Sequence, residues 1–355
     1  MLLVNLIKGI NQSGIRSYVY SLEDGELAQQ LPQNVTHYLP YNKKKNRKEK
    51  FLRSFLKRFK INPFEYQLRQ IQKEIKADLW YINTIVVDPI FFKIGKELGV
   101  RIVTHFHELP GAYRLISQSH LQLIIRESTY CIGCSKIVCD KIRELGHRNV
   151  KLFHSFIDTD LIDKQLSTLG TTRQDLGILP DEFVWVISGR ASFEKGVDCL
   201  LPLLEHFQDE KMRILWLGEM SDDGYHYYLQ SVLAKYGSCK LTFTGALREN
   251  YYHYMSLADG LLMPSKEDSF SLVMLEAAYL GLPIVSFNSG GVAEFVSERR
   301  GIVVDSWNAK DLARAMVSVM EKGRLPKERD REMPYTVHKQ VCRFMNLVAE
   351  MTELP

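Results

Sequence analysis

Two acidic residues stand out in the stretch "EDSFSLVMLEAAYLGLPIVSFNSGG", which runs from Glu267 to Gly291. Asp268 and Glu276 are eight residues apart, and the residues between them are mostly apolar. If the segment is mostly helical, the two carboxylates are about 12 Å apart. The paired acids of a glycoside hydrolase lie only about 5–9.5 Å apart, so the spacing argues against that kind of site. It suits two contacts at opposite ends of an extended ligand such as a nucleotide-sugar.

The two acids are predicted to lie on different elements. "PSKEDS" is typical of a loop, and "FSLVMLEAAYLG" predicts a helix whose second turn holds Glu276. There the carboxylate can accept two hydrogen bonds from neighbouring hydroxyl groups, such as those of a ribose. Asp268 precedes the helix, where it could meet the sugar end of the ligand. Taken alone, the segment favours a plainer interpretation, in which both acids cap or decorate a helix.

A loop earlier in the chain carries two cations. "SGRASFEKGVD" follows the predicted strand Phe183–Ser188 and places Arg190 and Lys195 on a strand-to-helix loop. Cationic side chains and free helix amides there can stabilise the negative charge of a nucleotide diphosphate, which grows when its bond to the sugar breaks. A third segment, "NSGGVAEFV", has Gly290 and Gly291 before another helix. These glycines permit either close approach to a ligand or simply a tight turn.

The rest of the sequence indicates the elements that position these residues. Short β-rich runs alternate with helical patterns, and several runs are continuously apolar, as expected for a parallel sheet covered on both faces. "SKIVCDKIREL" predicts a helix with a Ser cap and with Val138, Ile142 and Leu145 on one face. This order predicts α/β architecture. The predicted strands are "LWYIN", "RIVTHF", "YCIGC", "KLFH", "FVWVIS", "RILWL", "LTFTG", "GLLM", "PIVSF" and "GIVV".

The alternation pauses once, in a polar stretch over residues 158–180, and restarts at Phe183. A chain of 355 residues is long enough for two domains. We therefore predict an N-terminal domain over residues 1–164, a C-terminal domain over 165–335, and a final helix over 336–355 that packs back towards the N-terminal domain. Two such βα-repeating domains would face a central cleft, a common position for a ligand site.

Composition excludes several classes of protein. The chain has 46 Lys and Arg against 42 Asp and Glu, a net charge of +4, which is too even to imply nucleic acid. No apolar run approaches the roughly 20 residues of a membrane-spanning helix. The start, "MLLVNLIKGINQSG", has no basic region before its apolar stretch and no convincing cleavage site, so no signal peptide is predicted. We expect a cytoplasmic protein.

Cysteine usage offers a metal site as one interpretation. "CIGCSKIVC" contains a Cys-x-x-Cys pair, which could suggest zinc or thiol redox chemistry. A structural zinc site needs four ligands, however, and no second Cys/His pair with matching spacing is present. "TYCIGC" also fits a buried strand, in which cysteine behaves as a small hydrophobe, and we favour that interpretation. The six cysteines are Cys131, Cys134, Cys139, Cys199, Cys239 and Cys342.

One segment departs from the even charge balance. From Lys43 to Lys60 the chain has ten basic residues and one acid, Glu49. Its apolar residues recur at helical spacing, and a basic amphipathic helix suits an anionic membrane surface on the inner face of a membrane. A solvated basic face whose apolar side packs on its own domain fits equally well, and nucleic-acid binding fits less well because no recognition motif accompanies it. The apolar residues are Phe51, Leu52, Phe55, Leu56 and Phe59.

Taken together, the segments of the second half resemble the donor-binding half of retaining glycosyltransferases of family 4, also called group 1. The resemblance covers about residues 183–300 and includes "GR-x4-KG", "FTGALRENYYHYMSLADGLLMPS", the acid-x7-acid segment and the "GG-x2-E" turn. It implies the GT-B fold, with two Rossmann-like domains. One departure is that the first acid is usually Glu, whereas here Asp268 holds that register and Glu267 precedes it.

The resemblance also implies the site residues. On this basis Arg190 and Lys195 bind the donor diphosphate, and Glu276 binds the nucleotide ribose. Asp268 and the segment Phe270–Leu272 would surround the donor sugar. The candidate catalytic residues are Asp268, Arg190 and Lys195, together with His107 of the first half. The implied donor contacts are Arg190, Lys195, Gly218, Asp268, Phe270, Ser271, Leu272 and Glu276.

The first half resembles the acceptor side of the same family more loosely. The matching segments are "YINTIVVDP", "VTHFHELPG", "CSKIVCDKI" and "HSFID". In such enzymes a histidine at the end of a strand lies near the reacting sugar, which makes His107 the candidate. His105 is its rival, because residues two apart on a strand share a face.

The first forty residues permit two interpretations. In the first, "LVNLIKGINQSGIRSYVYSLEDG" corresponds to the family's first helix and then its second strand, so that the first strand and its Gly-rich loop are missing from this sequence. In the second, "LLVNLI" is the first strand and "KGINQSG" is the loop, followed by a helix from Ile15. We favour the first interpretation because it keeps the motifs in register.

The combined expectation is a retaining, metal-independent glycosyltransferase without a cofactor. It would move a sugar from a nucleotide-sugar to a glycan or lipid-linked acceptor, in surface polysaccharide or glycolipid biosynthesis. One alternative is a GT-B sugar-nucleotide epimerase or phosphorylase. The other is a catalytically impaired, membrane-associated scaffold with the same fold. The irregular start favours this alternative, and the intact charged residues of the second half argue against it.

Overall fold

The computed structural model describes residues 2–41, 47–207, 211–220, 224–236, 241–247, 249–325 and 333–353. The chain divides into two compact units. The first unit consists of Met1–His154 with Val337–Pro355, and the second consists of Ser155–Thr336.

The first unit contains two parallel sheets flanked by helices. One sheet has the strands β1 (Tyr18–Tyr20) and β2 (Thr36–Tyr38), and the other has four strands in the order β3-β4-β5-β6. All neighbouring strands pair in parallel, as the apolar runs predicted. The four strands are β3 (Leu79–Ile82), β4 (Arg101–Phe106), β5 (Tyr130–Gly133) and β6 (Val150–Leu152). The helices are α1 (Leu2–Asn11), α2 (Arg47–Arg58), α3 (Pro63–Ile75), α4 (Ile90–Glu97), α5 (Gln118–Glu127) and α6 (Lys136–Glu144).

The second unit is one six-stranded parallel sheet in the order β12-β11-β10-β7-β8-β9. Its core packs α8 and α12 on one face of the sheet, against the fully buried side chains of Trp185 and Trp216 among others. The strands are β7 (Phe183–Ser188), β8 (Met212–Leu217), β9 (Leu241–Phe243), β10 (Gly260–Met263), β11 (Ile284–Phe287) and β12 (Gly301–Val304). The helices are α7 (Thr159–Leu166), α8 (Leu200–His206), α9 (Gly224–Tyr236), α10 (Tyr251–Ser256), α11 (Leu272–Tyr279) and α12 (Ala309–Lys322).

All ten strands predicted from apolar runs are present, with small shifts at their ends. The predicted helix after Cys134 is α6, and the Ser135 hydroxyl accepts a hydrogen bond from the Val138 amide at its N-terminus. Val138 and Ile142 are buried on its inner face. The α/β prediction is therefore confirmed at the level of single elements.

The N-terminal segment settles the two interpretations of the sequence. Leu2–Asn11 is the helix α1, and the first strand of the chain is Tyr18–Tyr20. The interpretation of "LLVNLI" as a strand, with a helix from Ile15, is therefore wrong. Most apolar residues of α1 are buried, and α1 packs against the C-terminal helix α13 (Val337–Glu353). Val341 of α13 lies directly against Gly9, where any side chain would collide with it.

The division between the units falls at His154, ahead of the stretch 158–180 in which the sequence predicted it. The reason is that α7 belongs to the second unit and packs on α10. Just after α7, the Thr168 hydroxyl is 3.3 Å from Nε2 of His253. The Ile157 amide also donates to the Tyr335 carbonyl, which ties the two ends of the second unit together.

The cysteines form no metal site in the part of the chain that the structure describes. Cys131 and Cys134 are buried and neither is in a disulfide, and burial raises the pKa of the Cys131 thiol to about 12. No cluster of three or more potential ligands occurs among the described residues. The prediction of a buried strand for "TYCIGC" is confirmed, whereas Cys239 lies outside the described residues. Among those residues, no helix is long and apolar enough to cross a bilayer.

Candidate active site

The strand order of the second unit identifies where a ligand would bind. The chain runs outward from β7 through β8 to β9, then returns to the other side of β7 and continues through β10, β11 and β12. In an open parallel sheet, a crevice forms outside the carboxyl ends of the two strands where this reversal occurs, and ligands bind there. Here those strands are β7 and β10, which are hydrogen-bonded neighbours. Both predicted charged loops, after Ser188 and after Met263, begin at this point.

Two glycines bring the ends of β7 and β8 together. A side chain at Gly218, the residue after β8, would lie 2.0 Å from the Gly189 carbonyl oxygen, so only glycine fits there. The Gly189 amide donates to the Leu217 carbonyl (2.9 Å), and the Trp216 indole donates to the Gly189 carbonyl (2.8 Å). Gly218 therefore lies beside the backbone that leads into Arg190.

Arg190 is exposed, and among the described residues no carboxylate pairs with its guanidinium. The sequence predicted that free helix amides, together with Arg190 and Lys195, would stabilise the negative charge of a diphosphate. The structure instead shows a 3₁₀ turn over Val197–Cys199, and α8 begins only at Leu200. The capacity of this loop to bind an anion therefore rests on its two cationic side chains.

An ion pair joins the loop after β7 to the loop after β10. Lys195 Nζ lies 2.8 Å from Asp268 Oδ2, and their side chains are 31% and 10% exposed. The backbones are also in contact, because a side chain at Gly196 would lie 2.1 Å from the Pro264 carbonyl oxygen. The Lys266 amide, in addition, donates to the Glu194 carbonyl (2.8 Å). Two candidate residues that are 73 positions apart in sequence are thus in direct contact.

The glycine turn and the start of α11 complete this part of the site. Gly290 has a φ of +60°, and the Gly291 amide donates to the Asp268 carbonyl (3.2 Å). Phe270 is buried, with its ring 5.4 Å from that of Tyr335. Ser271 is the N-cap of α11 and Leu272 its first residue, and the Ser271 hydroxyl makes no capping hydrogen bond. The first amides of a helix have no partner within the helix, so the sugar end of a ligand could be bound here.

Glu276 is on the second turn of α11, as predicted, but its carboxylate is buried. It accepts two hydrogen bonds from hydroxyl groups, from Tyr251 to Oε2 (3.1 Å) and from Tyr252 to Oε1 (3.0 Å). The Ser188 hydroxyl donates in turn to the Tyr251 oxygen (2.8 Å). Burial raises the pKa of Glu276, and the two tyrosine hydrogen bonds oppose that rise. Burial also raises the pKa of both tyrosines, so both hydroxyls remain protonated donors.

The candidate histidine is in the first unit. His107 follows β4, and its Nε2 donates to Asn83 Oδ1 (3.1 Å). Its ring lies 3.9 Å from that of His105, so the two share a face of the strand as expected from their spacing. His105 is fully buried and hydrogen-bonded to the Tyr81 hydroxyl, which leaves His107 as the accessible ring. Burial lowers the pKa of His107 to about 4, so its ring is neutral at physiological pH.

Sequence reasoning missed the partners of these groups. Tyr251 and Tyr252 are adjacent on α10, and Asn83 ends the run that contains β3. The tyrosine pair in "RENYYHYM" carried a weak signal, since two neighbouring hydroxyl groups can donate to one carboxylate. Nothing in the local sequence indicated that they would bind Glu276.

Comparisons with known proteins show which family part of this chain resembles. Residues 170–335 match the family model described as "Glycosyl transferases group 1". The D-inositol 3-phosphate glycosyltransferase of Pseudarthrobacter chlorophenolicus is 28% identical over 276 residues, which cover 72% of this chain and 65% of that protein. The chain therefore spans less than two thirds of the length of that curated relative.

Solved structures support the fold over nearly the whole chain. The crystal structure of Anabaena Alr3699/HepE in complex with UDP matches with a TM-score of 0.71 at 20% identity, covering 99% of this chain and 93% of the other. The apo form of the lipopolysaccharide outer core galactosyltransferase WaaB matches with a TM-score of 0.71 at 14% identity, covering 98% and 94%. The predicted GT-B type fold with two Rossmann-like domains is confirmed.

The hydrogen bonds to Glu276 generate a prediction about stability. Replacing Tyr252 by Phe leaves Oε1 of a buried carboxylate without its donor, so the free energy of unfolding should fall by about 1–3 kcal/mol. The pKa of Glu276 should rise further, because the lost bond favoured the charged form. Urea unfolding at neutral pH, followed by tryptophan fluorescence, measures the loss. Tyr227→Phe, at an exposed position on α9, is the control, and an equal loss in the two variants would contradict the role of Tyr252.

The lowered pKa of His107 generates a prediction about acid sensitivity. The unfolded chain takes up this proton near pH 6.5 and the folded chain only near pH 4, so the contribution to stability is full above pH 6.5 and is lost as the pH falls towards 4. Over that pH range the free energy of unfolding should fall less in His107→Gln than in the wild type, by up to about 3 kcal/mol. Calorimetry at several pH values tests this. His338→Gln, at an exposed position, should retain the wild-type profile.

Proposed function

We propose that this chain is a retaining, metal-independent glycosyltransferase, and the proposal is supported by the match of residues 170–335 to the family model of glycosyl transferases group 1. The chain moves a sugar from a nucleotide-sugar donor to a glycan or lipid-linked acceptor. The observation that carries the proposal is the contact between Lys195 and Asp268 at the strand reversal, with Arg190 exposed on the same loop. A diphosphate and the sugar attached to it need a cationic group and a hydrogen-bond acceptor side by side, and this site supplies both.

The two cations act on the leaving group. When the bond between the anomeric carbon and the diphosphate breaks, negative charge builds up on the phosphate oxygens and the sugar becomes oxocarbenium-like. Arg190 and Lys195 stabilise that charge, which is greater in the transition state than in the bound donor. Because the charge is supplied by side chains, the reaction is proposed to need no metal ion. The acceptor hydroxyl then forms the new bond at the anomeric carbon, and its proton passes to the departing diphosphate.

The acids and the start of α11 position the donor. Asp268 accepts a hydrogen bond from a hydroxyl of the transferred sugar. The backbone of Phe270, Ser271 and Leu272 lies next to that sugar. Glu276 accepts from the nucleotide ribose. An ionised carboxylate has about four acceptor positions, so the two tyrosine hydrogen bonds leave capacity for a ribose hydroxyl. His107 is proposed to position the transferred sugar through a neutral ring, whose Nδ1 is free to accept a proton when Nε2 donates to Asn83.

The biological setting is part of the proposal. Uridine nucleotides are the first donors to test, because the Anabaena HepE structures contain UDP and UDP-glucose. Surface polysaccharide or glycolipid synthesis, on the cytoplasmic side of a membrane, follows from the proposed chemistry of a lipid-linked acceptor. The sugar and the acceptor are to be identified by experiment.

The two cations generate a direct test. The double variant Arg190→Ala, Lys195→Ala should lose at least about a hundredfold in nucleotide affinity, because each cation makes a charge-assisted contact with the diphosphate. Thermal shift with UDP, GDP and ADP, each with and without magnesium, measures this. We expect a stabilising shift for one nucleotide in the wild type, unaffected by magnesium.

Lys211→Ala is the matched control, since Lys211 is an exposed cation of the same unit paired with Asp181. Full sugar transfer by the double variant would overturn the assignment. NMR of the product decides the stereochemistry, and an inverted anomeric configuration would contradict the retaining mechanism. Conversion of the donor without transfer to an acceptor would favour an epimerase instead.

The ion pair generates a second test, which separates nucleotide binding from turnover. Asp268→Asn releases Lys195 from its partner, so UDP should bind as well as to the wild type or up to about tenfold more tightly. Turnover of the UDP-sugar should fall about 10–100-fold, because the acceptor of the sugar hydroxyl is weakened. Calorimetric titration and initial rates give the two quantities. Asp181→Asn is the control, and wild-type turnover by Asp268→Asn would assign the role to Glu267 or to no acid.

A further inference from the structure

The helix α2 carries three exposed phenylalanines on one face. Phe51, Phe55 and Phe59 are spaced four residues apart, and their side chains are 75%, 50% and 60% exposed. Residues at this spacing lie on the same face of a helix, and the rings of Phe55 and Phe59 are 4.8 Å apart. The Phe59 amide donates to the Phe55 carbonyl, so the helical turn continues to the third ring. The sequence interpretation in which all these apolar residues pack on their own domain is wrong for this face.

A different face of α2 attaches the helix to the first unit. Leu56 is buried and Leu52 is half-buried, and α2 packs against α3. The Arg53 guanidinium donates to the Tyr41 carbonyl on the opposite side of the helix from the phenylalanines. The aromatic face is thus displayed by a helix that is fixed to the fold, which distinguishes it from a frayed or unpacked segment.

Exposed cations lie on the same helix and on the turn that follows it. Lys50, Lys57, Arg58 and Lys60 are exposed, and none of them pairs with a carboxylate among the described residues. Large apolar side chains next to unneutralised cations match the boundary between the headgroups and the acyl chains of an anionic bilayer. Long basic side chains can lie along the apolar surface while their charges reach the phosphates. The segment 42–46, which contributes three further lysines to the predicted basic helix, lies outside the described residues.

The same helix lines a pocket of ≈ 200 Å³. Arg53 and Lys57 contribute cationic groups to it, and Asn62 and Gln67 contribute amides. A lipid phosphate carries one negative charge and several acceptor oxygens, which the cationic groups of Arg53 and Lys57 suit. Lys57 therefore connects the pocket with the exposed basic surface.

We propose that α2 binds an anionic lipid bilayer, with Phe51, Phe55 and Phe59 inserted at the acyl boundary and a lipid phosphate in the pocket beside Arg53 and Lys57. The inference does not depend on glycosyl transfer, since it rests only on the surface of the first unit. The attraction is electrostatic at a distance and hydrophobic on contact. Binding therefore requires both the phenylalanines and the cations. This requirement distinguishes the proposed binding from simple charge attraction.

Co-sedimentation with vesicles of phosphatidylcholine, with and without phosphatidylglycerol, tests the proposal. We expect the full chain to bind only the anionic vesicles, and to bind less as salt is added. The triple variant Phe51→Ser, Phe55→Ser, Phe59→Ser should bind on the order of a hundredfold more weakly with its charge unchanged. The control variant replaces three exposed leucines elsewhere in the first unit by Ser, and it should bind vesicles as the wild type does. These are Leu22, Leu27 and Leu115.

Single-charge variants test the pocket. Lys57→Gln and Lys60→Gln each remove one charge from the same surface, which alone weakens binding about fivefold. Lys57→Gln should be clearly weaker than Lys60→Gln, and equal losses would overturn the pocket as the phosphate site. Wild-type vesicle binding by the triple Phe variant would overturn insertion. Self-association of the chain through α2, without any binding to vesicles, would assign the surface to a second copy and overturn the proposal.

Discussion

The ion pair between Lys195 and Asp268 is the contact on which the candidate site depends. Asp268 is only 10% exposed, so a carboxylate there needs a cationic partner to offset the cost of its burial. Lys195 meets that need and is itself held in one place. A ligand phosphate that approaches Lys195 thus finds a cation already positioned, which lowers the reorganisation required when charge develops. The same contact makes Asp268 sensitive to whatever binds Lys195, so the proposed diphosphate and sugar positions would be coupled.

Backbone packing makes this contact possible. Lys195 follows β7 and Asp268 follows β10, and the order of the sheet makes these strands neighbours although β8 and β9 separate them in sequence. Gly196 then lets the first loop approach the carbonyl of Pro264, at a distance that excludes any side chain. Because these contacts involve main-chain atoms, the two charged groups are positioned by the fold itself and not by flexible side chains alone.

The sequence predicted the elements better than their contacts. Continuous apolar runs such as "FVWVIS" and "GLLM" specify buried parallel strands, and both occur over the predicted residues. The six residues "LLVNLI", five of them apolar, fitted a strand or a helix equally by length and periodicity, and packing against α13 is what favours the helix. For Glu276, two hydroxyl donors were expected from a ligand, but two tyrosines from a separate helix provide them. Such pairings depend on the tertiary fold, so one sequence cannot reveal them.

Burial gives the two basic surfaces of this chain different properties, although both suit phosphate. Lys195 is partly buried and paired, so its interaction is short-ranged, little screened by salt and dependent on exact placement of the ligand. Lys50, Lys57 and Arg58 are exposed, so their attraction extends over roughly a Debye length of about 8 Å at physiological salt and falls as salt is added. The paired, partly buried Lys195 is therefore suited to bind one small anion selectively. The exposed cations of α2 are suited to attract a surface that carries many anionic groups. The exposed phenylalanines add to the α2 surface an apolar contact, whose own strength does not depend on charge.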